Sequence, residues 1–119
     1  MNRKIILLLS VLFLSVFSGV AFALDPLEAG PGMYKKLFEN EKVRVMEVTF
    51  NPGDKIKEHS HPDHFVTVLE PGKLKIFKPD GSANEIELTQ EQVIWIPAET
   101  HWAENTGTTR VKLLVSELK

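Results

Sequence analysis

The chain has 119 residues, with 14 lysines and arginines against 16 acidic residues and a formal charge of −2. A chain of this length builds one domain and leaves no room for a second. The acidic balance, with no basic run, argues against a nucleic-acid partner, and the absence of cysteine excludes disulfide staples.

Residues 1–23 read as a secretory signal: Arg3 and Lys4 make a positive start, Ile5 to Val20 is a nearly unbroken apolar run, and Ala21-Phe22-Ala23 offers small residues where a signal peptidase reads. The expected cut follows Ala23 and leaves 96 residues, with 12 basic against 16 acidic and a charge of −4. Contact with a membrane is expected only through this segment before cleavage. The processed chain is expected to be secreted or periplasmic. No cysteine follows the run, so a lipid anchor at that point is excluded.

Residues 24–42 read as an irregular lead-in, with two prolines and two glycines in Leu24 to Gly32. Met33 to Asn40 and Thr89 to Gln92 are the only helix-like stretches. From Val43 the chain breaks into short β-like runs closed by turns. These are Val43 to Phe50, His64 to Leu69, Leu74 to Lys78, Asn84 to Leu88, Val93 to Pro97, His101 to Asn105 and Val111 to Leu118. Asn51-Pro52-Gly53-Asp54, Glu70-Pro71-Gly72-Lys73 and Pro79-Asp80-Gly81-Ser82 make the first three corners. Such spacing predicts an all-β domain, a single small antiparallel β-barrel over residues 43–119. Val93 to Ile96 is apolar on both parities, as in a strand covered on both sides, and Trp95 within it reads as core.

Three of the four histidines fall within Glu58 to His64, EHSHPDH. His59 and His61, two apart in an extended segment, project from one face with Cα atoms roughly 6.6 Å apart, a spacing at which two imidazoles converge on one ion. Pro62-Asp63 breaks the strand, so alternation leaves open which way His64 points. His101 opens a later strand.

These residues resemble the cupin superfamily, small double-stranded β-helix (jelly-roll) barrels with two motifs. The first motif is glycine, five residues and His-x-His, then a glutamate ligand; Gly53, DKIKE and His59-Ser60-His61 match it without a gap. The second ends in proline, a short turn, histidine, three residues and asparagine; Pro97, His101 and Asn105 match it. Glu91 stands where the second motif has glycine, Glu99 stands near its other glycine, and the turn is one residue short. The ligand glutamate of the first motif is missing: its place after His61 falls on Phe65. Aligning on the apolar strand VTVLE, whose register decides which face is buried, puts His64 in the glutamate's slot.

The resemblance implies a metal site of His59, His61 and His101 with His64 as fourth ligand. The cofactor is a divalent transition metal, with all-imidazole ligation suiting zinc, iron, copper or nickel. It also implies a small polar molecule as ligand or substrate. Two functions fit: an enzyme of the dioxygenase or isomerase kind, or a non-catalytic module that binds a small molecule or the metal. An acid or base would come from His64, if it is not a ligand, or from Glu104 through a water. Trp102 is expected to pack away from the site, Arg44 to be ion-paired or solvent-facing, and Phe65, Thr67 and Phe77 either to line a pocket or to fill the barrel. Cupin barrels often pair through their sheets, so a homodimer is a further expectation.

Overall fold

The computed structural model describes residues 23–119; the expected signal, apart from Ala23, lies outside them. The described residues run through a short helix α1 (Pro26–Ala29) and nine strands. These are β1 (Tyr34–Glu39), β2 (Val43–Phe50), β3 (Lys55–His61), β4 (His64–Glu70), β5 (Gly72–Phe77), β6 (Ala83–Leu88), β7 (Val93–Ile96), β8 (Glu99–Glu104) and β9 (Val111–Leu118). They form a five-stranded sheet, β1-β2-β9-β4-β7, facing a four-stranded sheet, β3-β8-β5-β6. Every ladder is antiparallel, as in a jelly-roll barrel.

Alternation decides what goes inside. On β2 the buried positions are Met46, Val48 and Phe50, and on β9 the buried apolar positions are Val111, Leu113 and Val115. Val66 and Val68 of β4 complete that wall, while Ile56, Leu74, Leu88 and Ala103 come from the facing sheet. Gly53, with φ of 87°, occupies a conformation that strains any residue carrying a Cβ. Its N–H donates to the Asn105 carbonyl at 2.9 Å, tying the start of β3 to the end of β8. The Asn105 side chain, itself buried, donates to the carbonyls of Phe50 and Thr109 and accepts from Gly107 N.

Several readings of the sequence need correction. The lead-in is ordered: Asp25 caps α1 by accepting from Leu27 N, Glu28 reaches back to Asp25 N, and Ser60 N donates to the Leu24 carbonyl at 2.9 Å. Met33 to Asn40 is not helical, because its residues 34–39 form β1 along the edge of β2. A helix of two turns is marginal alone, and the free edge of β2 offers every second backbone group a partner. Thr89 to Gln92 is a tight turn in which Glu91 takes φ of 64°.

Trp95 is not core. It is 54% exposed, because β7 ends its sheet and turns only Ile94 and Ile96 inward. Phe65 pairs with Trp95 on that same outward face. Phe77 and Trp102 stack on each other, ring centroids 5.7 Å apart and planes within 2°, so the expectation of packing holds for Trp102.

Candidate metal centre

The four histidines reach one place from two sheets. His59 and His61 alternate inward on β3, and His101 sits directly opposite His59 on β8. A β-bulge at Lys57-Glu58 lets both Ile56 and His59 face inward, and the His59 ring bonds back to the Lys57 carbonyl at 2.7 Å. Pro62-Asp63 then carries the chain across to the five-stranded sheet. His64 therefore opens β4 on the facing wall, which settles its direction: it is buried and points inward. Ring centroids of His59, His61 and His101 lie 4.8 to 5.0 Å apart. One donor atom from each of these three lies within 4.8 Å of the other two. His64 stacks on His61 at 4.4 Å and is not part of that trio.

The hydrogen bonds of all four rings run through Nδ1. His59 and His64 bond the carbonyls of Lys57 and Pro62, His61 bonds Glu117 at 2.8 Å, and His101 bonds Glu99 at 2.5 Å. A carbonyl only accepts, so Nδ1 carries the proton and Nε2 keeps its lone pair. For His59 that Nε2 is fully buried with no hydrogen-bond partner among the described residues. A buried acceptor left so is costly. A cation bound by neighbouring imidazole nitrogens would satisfy it, and the residues present fit a metal ion on that ground.

Electrostatics agree with neutral rings. Burial pushes His59 down to about 4. It also lowers His61 and His101, even though bonds to Glu117 and Glu99 oppose the shift. Burial alone would raise Glu117, but the hydrogen bonds from His61 and Arg44 outweigh it and hold the carboxyl below its ordinary range. Arg44 lies 2.7 Å from Glu117 and 2.7 Å from Asp25, so the expectation of ion pairing holds. Tyr34, buried beside His59 and His61, is raised by burial and then by the negative charges of Glu117 and Asp25.

A cavity of about 280 Å³ adjoins the four histidines. Tyr34, Glu99, Lys78 and Asn84 also line it, with hydrocarbon over most of the rest. Glu104 does not; it alternates outward from Ala103, paired with Lys55 and Lys75, which removes it as an acid or base. Phe65, Thr67 and Phe77 are likewise absent from the lining.

Reading the sequence missed Glu99 and Glu117. Glu99 was counted as a departure at a loop corner, yet its carboxylate orients His101. Glu117 carried a signal: it holds the fourth inward position of β9 after Val111, Leu113 and Val115, where an acid must have a partner.

Among curated proteins none matches the sequence. A crystal structure of a cupin domain from Bordetella pertussis Tohama I is 24% identical, covering 85% of this chain and 99% of that one, with a TM-score of 0.68. A cupin superfamily protein from Desulfitobacterium hafniense DCB-2 is also 24% identical, over 72% of this chain and 75% of its own, at 0.56. The polyketide cyclase RemF from Streptomyces resistomycificus is 23% identical, over 71% and 63%, at 0.56. Likeness at this level establishes the fold. The model of the cupin domain family matches residues 46–117, more than half of the sequence, and the chain belongs to that family.

Proposed function

We propose that this cupin is a mononuclear metal protein in which His59, His61 and His101 hold a divalent transition metal, with His64 as fourth ligand, and which binds and activates a small molecule beside it. One observation carries the reading: the trio brings one ring nitrogen each to within 4.8 Å of the other two, and His59 Nε2 is buried without a partner among the described residues. A metal there supplies Lewis acidity toward an oxygen of the bound molecule. Glu117 and Glu99 hold His61 and His101 in the required tautomer. The donor set favours zinc, iron, copper or nickel over magnesium or calcium.

Elemental analysis of the purified protein tests this directly. One metal per chain, lost in His59→Ala, supports the site; metal below a tenth of stoichiometric would sink it. Retention in His64→Ala would reduce the ligand set to three.

A second reading, capture without turnover, is favoured by the carboxylate lining the cavity. Glu99 is already engaged by His101 and Lys78, which leaves it committed to structure rather than to proton transfer. Recovering the ligand unchanged after incubation, with no His101-dependent oxygen uptake, would select it.

We propose export as well, with a cut after Ala23. Were the chain cut after Ala23, its first residue would be Leu24, whose carbonyl already holds β3 beside His59. N-terminal sequencing of protein from the cell envelope checks the cut.

We also infer a homodimer through the outer face of the five-stranded sheet. Phe38, Val45, Ser116, Phe65 and Trp95 stand in cross-strand register across all five strands, and Phe38 and Trp95 are each 54% exposed. The face measures about 19 by 26 Å from strand spacing and rise. Two copies would bury roughly 1,000 Å², the lower limit for a specific interface.

A further inference from the structure

The two sheets meet differently along their two sides. On one side the free edges of β1 and β3 are bridged by α1 and Leu24. On the other, β6 and β7 end their sheets, and no ladder joins them among the described residues. Ile86 on β6 and Ile94 and Ile96 on β7 line the cavity from these two edges, and Ile86 is 39% exposed. These two unjoined edges give the cavity a hydrocarbon lip on that side, and the four histidines line the same cavity.

Its walls repeat the pattern. Most of the lining is hydrocarbon, Val66, Leu74, Leu88, Leu113 and Val115 among it, and the polar residues besides the histidines are Tyr34, Lys78, Asn84 and Glu99. A polyhydroxylated guest would be stripped of water against that hydrocarbon and offered few hydrogen bonds in exchange, since Lys78 and His101 already engage Glu99. An apolar body gains from the same burial. Size follows by scale: an apolar cavity of roughly 150 Å³ takes one benzene, so 280 Å³ takes about ten to twelve non-hydrogen atoms.

We infer that the site receives an apolar-bodied small molecule, a fused-ring or similarly compact hydrocarbon frame, entering between β6 and β7 with a single oxygen donor directed at the histidines. This departs from the small polar molecule expected from the family resemblance. The oxygen end rests on the metal reading above; the apolar class rests on the walls alone.

The test uses the purified protein, with and without one equivalent of zinc, titrated with 2-naphthol, naphthalene and glucose, three molecules of similar size. Ligand fluorescence reads the aromatics and calorimetry reads glucose. Saturable one-to-one binding of 2-naphthol to the zinc form, about tenfold tighter than naphthalene, with no binding of glucose, is the expected result. Ile86→Glu, at a half-exposed lip where folding is insensitive, and Ile94→Trp, which fills the cavity, should each weaken both aromatics by about tenfold or more. Equal binding of the two aromatics with and without zinc, still weakened by either variant, upholds the apolar class and sinks the metal reading. Glucose binding as tightly as 2-naphthol overturns the inference. So does a failure of both aromatics to bind protein that carries its metal, or binding that neither variant changes.

Discussion

Replacing Glu117 by glutamine isolates what the buried carboxylate does for the metal centre. Its Oε2 accepts from His61 Nδ1 at 2.8 Å, and its Oε1 accepts from Arg44 Nε at 2.9 Å. Glutamine keeps the shape but has one acceptor oxygen, so its amide group must face either the His61 N–H or the Arg44 guanidinium, donor against donor. Losing the carboxylate behind a metal-binding histidine typically weakens the metal by about 10- to 100-fold, or about 1.4 to 2.8 kcal/mol. Folding should survive, because Arg44 retains Asp25 at 2.7 Å and the loss is one set of charge-assisted bonds, about 1.5 to 3 kcal/mol. Competition for zinc against a chelator of known affinity measures the effect, with urea unfolding run in parallel. Asp25→Asn, one step further out, should cost no more than about threefold, since Glu117 still holds Arg44. Affinity for zinc within about twofold of the unmodified protein in a folded Glu117→Gln variant would refute the claim that this bond sets the His61 tautomer.

Three other expectations follow from single features. An unfolded histidine titrates near 6.5 while His59 in the fold resists protonation down to about 4. The unfolded chain therefore binds the extra proton between these values. Stability of the metal-free protein should be full above pH 6.5 and fall as pH drops toward 4, by about 3 kcal/mol for His59 alone; a urea midpoint flat across that range would contradict it. Glu91→Gly should relieve the left-handed backbone at φ of 64°, a strain of about 1 to 2 kcal/mol partly offset by the freer unfolded chain. The melting temperature should rise by about 2 to 6 °C, and a fall would count against the strain. Trp95→Glu should convert a dimer to monomer in light scattering at micromolar concentration while leaving metal content unchanged; a monomeric parent protein removes the proposed face.

What the sequence made legible and what it hid divide along locality. β2 and β9 are readable to the residue because their apolar parity and turn punctuation are written within eight positions. β1 was not, since only Tyr34 of its six residues is buried and its conformation is decided by the open edge of β2, residues away along the chain. Trp95 failed for a related reason: a run apolar on both parities is the same string in a central strand and at an edge with an exposed hydrophobic face. His59, His61 and His101 could be read from spacing and motif, whereas the direction of His64 depended on Pro62-Asp63 crossing between sheets. Glu99 and Glu117 are invisible to motif spacing because their function lies in what they touch, and Glu117 is 56 residues from His61.

The position of Glu117 gives the site a structural consequence beyond the metal. His61 belongs to the four-stranded sheet, Glu117 and Arg44 to the five-stranded one, and Asp25 to the cap of α1. The bond that sets the ligand's tautomer is therefore also a polar clasp between the two sheets. It lies toward the side that α1 bridges, away from the open edges of β6 and β7. A barrel joined on one side by charge has its polar tie where the ligands must be held, and its unpaired strand edges lie on the other side. The same layout explains why the lead-in is ordered: without Asp25, Arg44 would face Glu117 alone, and the clasp would lose the anchor that joins it to the start of the domain.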